Sequence, residues 1–345
     1  MEDIFVQRPD LTCYAKMAVY KIGYVAGQVE LTSLCSQRCL FCDSWRSHVK
    51  GSIKGTLSYI TIIKLLRQLN QIPTFEHLSF TGGEPMDWQD PDSHMNFDEL
   101  LRQIRYQGIK FSLQVNTTLV KSIDYSTWLN SLDRVRVSLD GIRRETYKML
   151  RGDDRDPEEI LEKMELLAHP GLSTMTCVSE GNIKEIPDII ARLNRMKNPP
   201  RKAMFLAVLG KEIKEEFWKE YNLLKRIESP RVQTSFQEDV MGVRAFCNSA
   251  EAEKVPCAVG GITFHIKCNG DVYPCCLIGG EAIKTQEHMK IGNINEFTGL
   301  PGIQAEYKAK CFYHKGSPCS EVCQWKQVHI NRLTHAAKRI ILTMP

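Results

Sequence analysis

Cys35, Cys39 and Cys42 stand in the run Leu34-Cys35-Ser36-Gln37-Arg38-Cys39-Leu40-Phe41-Cys42, a C-x3-C-x2-C spacing that follows an apolar, strand-like stretch. Three thiolates this close can hold three corners of a four-iron cubane and leave one iron without a protein ligand. An open iron is a place for chemistry. The competing reading is structural zinc, which wants four ligands and usually a C-x2-C pair in each half. No fourth ligand lies near the trio.

A second motif, Ser79-Phe80-Thr81-Gly82-Gly83-Glu84-Pro85, ends the next predicted strand. Paired glycines let a backbone pass close to a ligand, and Glu84 offers a carboxylate to a cationic group such as an amine. Residues 257–323 then hold seven of the chain's thirteen cysteines. Four of them, Cys257, Cys275, Cys319 and Cys323, are the candidate ligands of a second metal centre, with Cys311 as the alternative to Cys319. Cys268 and Cys276 sit at odd positions, and a four-cysteine zinc site is the competing reading. Cys13, Cys177 and Cys247 carry no motif and read as small buried hydrophobes. The histidines, His265 among them, read as satisfied core or surface residues.

The elements that must position these motifs alternate between strand and helix. Strands are expected at 29–34, 76–80, 110–115, 134–139, 174–178 and 203–209, where apolar residues run together or alternate. Helices are expected at 59–69, 97–106, 125–132, 186–196 and 213–227, and one opens at Asp156-Pro157-Glu158-Glu159, with Asp at the cap and Pro in the first position. Six strand–helix units predict a parallel sheet with helices outside. They are too few for a closed eight-stranded barrel, so the expected fold class is α/β, a partial (β/α)6 barrel with a small cysteine-rich C-terminal domain. Ligands bind at the C-terminal strand ends of such folds, and the motifs fall there. The expected division is an N-terminal extension over 1–25, the barrel over 26–227, a connecting segment over 228–256, the auxiliary domain over 257–325 and a closing helix over 326–345.

Composition narrows the setting. The chain has 345 residues, 43% of them hydrophobic, and a formal charge of +4. Lys and Arg are scattered rather than clustered, so no nucleic-acid partner is expected. No apolar run reaches the length of a membrane span. The N-terminus, Met1-Glu2-Asp3-Ile4-Phe5, is acidic where a secretory signal would be basic. The expected location is cytoplasmic, where clustered cysteines serve as ligands rather than disulfides.

The cysteine trio, Phe41 before its last member, and Gly82-Gly83-Glu84-Pro85 resemble the radical SAM superfamily over residues of about 25 to 210. The resemblance implies a [4Fe–4S] cluster whose open iron is chelated by S-adenosylmethionine. It implies that Glu84 and the Gly82-Gly83 backbone take the cofactor's amino group, that Phe41 lies near the adenine, that Ser138 and Arg151 bind its ribose or carboxylate, and that Asn116 is a further cofactor contact. Asn182 is a further match. The C-terminal cysteines are similar to the SPASM and shorter twitch extensions of that superfamily, which hold auxiliary [4Fe–4S] clusters. Only Cys319-x3-Cys323 matches the end of the full SPASM block, and no cysteine follows Cys323. One auxiliary cluster is therefore expected, with a second left open.

By that resemblance the chain is a radical SAM enzyme. An electron donor such as flavodoxin or ferredoxin reduces the cluster, and a 5′-deoxyadenosyl radical abstracts hydrogen from a substrate carbon. The outcome is oxidation, epimerisation or bond formation on a ribosomal peptide or on an aminocyclitol, sugar or nucleoside-type molecule. Only 34 residues precede Cys35, so no fused leader-binding domain is expected. The rival reading is a non-catalytic iron–sulfur or zinc carrier or scaffold, which leaves the Gly-Gly-Glu-Pro turn unexplained.

Overall fold

The computed structural model describes residues 26–42, 54–208, 215–236, 263–273 and 290–295. Its parallel strands are β1 (Ala26–Glu30), β2 (His77–Thr81), β3 (Ser112–Thr117), β4 (Arg134–Ser138), β5 (Leu172–Val178), β6 (Lys202–Ala207) and β7 (Gln233–Phe236). The intervening helices are α1 (Tyr59–Asn70), α2 (Phe97–Arg105), α3 (Tyr125–Ser131), α4 (Arg144–Arg151), α5 (Pro157–Leu167), α6 (Ile186–Arg195) and α7 (Glu215–Leu224). Strands β1 to β7 pair in sequence order. The C-terminal region adds β8 (Thr263–Ile266), β9 (Asp271–Tyr273) and β10 (Gly292–Asn293) to the free side of β1. β8 runs parallel to β1, and β9 and β10 continue antiparallel.

Period-two alternation divides the sheet into two faces. Val29, Leu31, Leu78, Phe80, Leu113, Val115, Val135, Val137 and Phe205 belong to one buried apolar core with helix residues such as Ile62, Leu66, Leu101 and Ile190. The opposite, inner face is polar along its middle. In register across neighbouring strands it carries Gln28, Ser79 and Gln114, then Asn116, Arg136 and Ser173.

The helices start where their caps dictate. Ser58 accepts from the Thr61 N–H at 3.3 Å ahead of α1. Asn96 and Glu99 close a capping box on α2, and Asp156 caps α5 with Pro157 in the first turn. Helix α4 was not expected. The residue ahead of it, Arg143, makes no side-chain cap, so the usual start signal is missing. Glu185, beyond β5, supplies the cap instead, accepting from the Ile142 and Arg143 N–H groups at 2.5 and 2.7 Å.

The segment 228–256, read as a connector, contributes β7 on the far edge of the sheet. The C-terminal region is joined to the barrel by the pairing of β8 with β1. Gly27 makes that pairing possible: a Cβ there would lie 2.1 Å from the ring of Phe264. Cys257, Cys275, Cys276, Cys311, Cys319, Cys323, Cys13, Cys247 and the expected closing helix lie outside the described residues. Cys268 is buried in the turn after β8. Among the described residues, no helix is long and apolar enough to cross a membrane.

Candidate active site

The cysteine loop leaves the C-terminal end of β1 and is fastened on two sides. On one side it meets the turn after β2. Gly83 N–H donates to the Thr32 carbonyl and Glu84 N–H to the Leu34 carbonyl, both at 2.7 Å. The contact leaves no room for a side chain, since a Cβ on Gly83 would sit 2.1 Å from the Leu34 oxygen. On the other side the loop uses α4. The last carbonyls of a helix have no partner within it. Here Arg151 O accepts from Arg38 N–H at 2.8 Å and Leu150 O from Leu40 N–H at 2.9 Å.

Glu84 has a structural role at this turn. Its side chain is 1% exposed. One carboxylate oxygen accepts from Thr117 Oγ1 at 2.6 Å and Met86 N–H at 3.2 Å. The other accepts from Thr118 N–H at 2.7 Å and Thr118 Oγ1 at 2.5 Å. A carboxylate has about four lone-pair sites, and all are used. Burial pushes this carboxyl up, and the hydrogen bonds from Thr117, Thr118 and Met86 pull it down. Glu84 therefore ties the end of β2 to the end of β3. Glu84→Gln should turn an amide against donors that need an acceptor. It should cost about 1–3 kcal/mol, seen as a lower unfolding midpoint in urea. A normal midpoint with lost S-adenosylmethionine affinity would instead restore the expected direct contact.

Arg151 is also spoken for. It is buried, its Nε and Nη2 lie 2.5 Å from Asp140 Oδ2, and Nη1 donates to Gln37 Oε1 at 2.8 Å. Its guanidinium carbon is 6.0 Å from the centroid of the Phe41 ring, the outer limit of a cation–π contact. Three of its donors hold Asp140 and Gln37. Gln37 Nε2 in turn donates to Tyr147 Oη at 2.8 Å and Asp153 Oδ2 at 3.1 Å. Asp140 receives Cys177 N–H at 2.6 Å. The network locks the middle of the cysteine loop to the ends of β4 and β5. Asn182 belongs to it through Nδ2 bonds to the Asp140 and Cys177 carbonyls at 2.8 and 2.9 Å.

The remaining expected contacts lie on the inner face. Ser138 is half-buried at the C-terminal end of β4. Asn116, on β3, donates to Ser79 Oγ at 3.0 Å and accepts from Gln114 Nε2 at 2.7 Å. Cys177 is half-buried on the inner face of β5. At the β1 edge stands a set that sequence reading missed. Glu30 Oε1 accepts from Lys267 Nζ at 3.1 Å and lies 3.0 Å from His265 Nε2, with all three residues buried.

The trio of cysteines fits a cluster by donor chemistry. All three thiols are free of disulfides and share one loop. Burial pushes Cys35 up to about 12 and Cys39 up to about 11, and each feels the neighbouring thiols. Metal binding therefore has to displace protons here. Among the described residues no three His, Cys, Asp or Glu side chains stand close enough to share a single ion.

Gln37, Asp140, Thr117 and Thr118 are functional neighbours that no motif singled out. The signal available for Asp140 was its place in Ser138-Leu139-Asp140-Gly141, at the end of a predicted strand.

Comparison with known proteins agrees with this geometry. Residues 29–193 match the family model of the radical SAM superfamily, and residues 257–325 match that of an iron–sulfur cluster-binding SPASM domain. The chain belongs to the radical SAM superfamily and carries a SPASM domain. Its cofactors are accordingly a [4Fe–4S] cluster, S-adenosylmethionine and auxiliary iron–sulfur. A probable GTP 3′,8-cyclase of Pyrococcus abyssi is 29% identical over 167 residues, 47% of this chain and 51% of that one. A probable GTP 3′,8-cyclase of Thermococcus kodakarensis is 29% identical over 166 residues, again 47% of this chain and 51% of that one. The chain thus spans about half the length of these curated relatives. Among solved structures, Streptococcus suis SuiB bound to S-adenosylmethionine superposes with a TM-score of 0.58 at 14% identity, covering 90% of this chain and 70% of that one. The protein anSMEcpe with bound AdoMet gives 0.54 at 16% identity, covering 91% and 96%. These likenesses establish the fold.

Proposed function

We propose that Cys35, Cys39 and Cys42 hold the [4Fe–4S] cluster and that the chain uses S-adenosylmethionine to remove a hydrogen atom from a carbon of a hydrophilic substrate on the inner face of the barrel. The observation that carries this reading is the double fastening of the cysteine loop, to the Gly-Gly-Glu turn and to the end of α4, beside a polar inner face. When bound, cluster and cofactor supply a 5′-deoxyadenosyl radical. The chain's residues fix where that happens. Gly83 and Glu84 set the loop through their N–H groups, and the Arg151–Asp140–Gln37 network sets its middle. With the Glu84 carboxylate used internally, the carbonyls of Gly82 and Gly83 are the groups the turn offers to a cofactor amine. Phe41 contributes an aromatic face beside them, and Ser138 and Asn116 contribute polar groups from β4 and β3.

Cys257, Cys275, Cys319 and Cys323 are assigned to an auxiliary [4Fe–4S] cluster, and a flavodoxin- or ferredoxin-like donor supplies the electron. The net change is oxidation, epimerisation or bond formation. Two substrate classes have support. The sequence relatives named probable GTP 3′,8-cyclases favour a nucleoside-type molecule. SuiB, solved with its precursor peptide SuiA, favours a ribosomal peptide. Anaerobically purified protein should release 5′-deoxyadenosine from S-adenosylmethionine under dithionite, and deuterium from the right substrate should appear in it. Cys39→Ala should abolish that release while keeping about half of the iron. Iron binding without any 5′-deoxyadenosine from the wild-type protein would favour the electron-carrier reading.

A further inference from the structure

Buried cations in this chain carry partners: Arg151 has Asp140 and Lys267 has Glu30. Arg136 is an exception. It is half-buried on the inner face of β4, and among the described residues it makes no ion pair. Its Nε is out of contact with solvent and has no hydrogen-bond partner. Burial and the like charge of Arg134 together push its guanidinium down to about 10. Leaving a charge desolvated without a counter-ion costs stability. Its register neighbours, Asn116 and Ser173, are neutral, and among the described residues no carboxylate pairs with it.

Those surroundings suit a ligand. In register beside Arg136 stand Asn116 on β3 and Ser173 on β5. Asn116 is already engaged with Ser79 and Gln114, and Ser173 Oγ is 3.4 Å from the Val135 carbonyl. Neither neutralises the guanidinium. Two residues along the same face is Ser138, about 7 Å further toward the strand end. The cysteine loop and the Gly-Gly-Glu turn lie beyond the ends of β1 and β2, so Arg136 sits level with Asn116 and deeper than the cysteines, the turn and Ser138. A planar guanidinium fork matches phosphate and carboxylate alike.

We propose that Arg136 receives an oxyanion, a phosphate or a carboxylate, borne by the substrate on the inner face of the barrel. This rests on the reading of the chain as a hydrogen-abstracting enzyme whose substrate lies on that face. It narrows the substrate to a hydrophilic molecule with an anionic group placed away from the carbon that loses hydrogen.

The test uses anaerobically prepared, S-adenosylmethionine-saturated holoenzyme, titrated calorimetrically with inorganic pyrophosphate and separately with glutarate. Binding of pyrophosphate alone assigns the site to phosphate, and binding of glutarate alone assigns it to carboxylate. Arg136→Gln should weaken the bound probe at least about tenfold. Arg136→Lys should lose less, and Arg134→Gln, at an exposed position, less than about threefold. Because it relieves an unpaired charge, Arg136→Gln should also melt about 2 °C higher than the wild type. Failure of both probes to bind, or binding unaffected by Arg136→Gln, overturns the proposal. So does a parallel loss of S-adenosylmethionine affinity by equilibrium dialysis, which would move the guanidinium to the cofactor. Absence of 5′-deoxyadenosine release from the wild type would sink the enzymatic reading and leave anion binding at Arg136 to stand or fall on the titrations.

Discussion

Gly83→Ala should lower the rate of 5′-deoxyadenosine release at least about 100-fold, the size of effect that a 1 Å misplacement near a reacting centre produces. The added methyl would lie 2.1 Å from the Leu34 carbonyl oxygen, 2.6 Å from its carbon and 2.8 Å from the Ser33 oxygen. These are backbone atoms, so no side-chain rotation relieves the clash. The turn and the loop must separate, and the hydrogen bonds from Gly83 to Thr32 and from Glu84 to Leu34 go with them. Cys35 follows Leu34 directly, so the separation displaces the first thiol of the trio. Gly108→Ala is the control, because its added Cβ would meet nothing within 4 Å and only the left-handed backbone is strained. It should cost about 1–2 kcal/mol of stability and leave the release rate within about twofold. Rates for Gly83→Ala close to wild type, measured under dithionite with saturating S-adenosylmethionine, would show that the contact does not set the loop.

Glu30→Gln should destabilise the chain by about 3–5 kcal/mol, the usual result of removing one partner from a buried ion pair. The wild-type carboxylate is 4% exposed and shares one oxygen between Lys267 and His265. Burial raises its pKa, but the bonds and charges of those two residues win and bring it down to about 2. A carboxyl held below its ordinary 4.5 stabilises the fold at neutral pH, and that contribution is lost as pH falls from about 4.5 toward 2. The variant should therefore show a lower urea midpoint at pH 7 and a shallower loss of stability on acidification. Replacing the ion pair by apolar groups of similar size, as in Glu30→Leu with Lys267→Met, should recover most of the loss. A Glu30→Gln midpoint equal to that of the wild type would mean that water or another charge balances Lys267.

Much of the barrel was legible because its signals are local. The Asp156 cap, and alternation in Arg134–Ser138, act over a few positions. Helix α4 was missed because its cap, Glu185, comes from beyond the next strand. β7 and β8 were missed as barrel strands because four-residue strands carry little periodicity and gain their place by pairing. The site divided along the same line. Cysteine spacing is a property of one segment and was readable. The fastening roles of Glu84 and Arg151 depend on Thr117, Thr118, Asp140 and Gln37, partners brought near by folding. Glu30 is separated from His265 and Lys267 by more than 200 positions, and nothing local joins it to them.

The pairing of β8 with β1 bears on how such chains can be recombined. The barrel and SPASM regions are matched as separate stretches of sequence, which invites treating them as exchangeable parts. Here the second stretch supplies the strand beside β1, the ring that fills the space over Gly27, and the base and ammonium that balance Glu30. A chimera that joins this barrel to a relative's auxiliary domain would expose the side of β1 and strand a buried carboxylate unless the β8 segment travelled with the barrel. The workable seam therefore lies after Tyr273, inside the matched SPASM stretch rather than at its start.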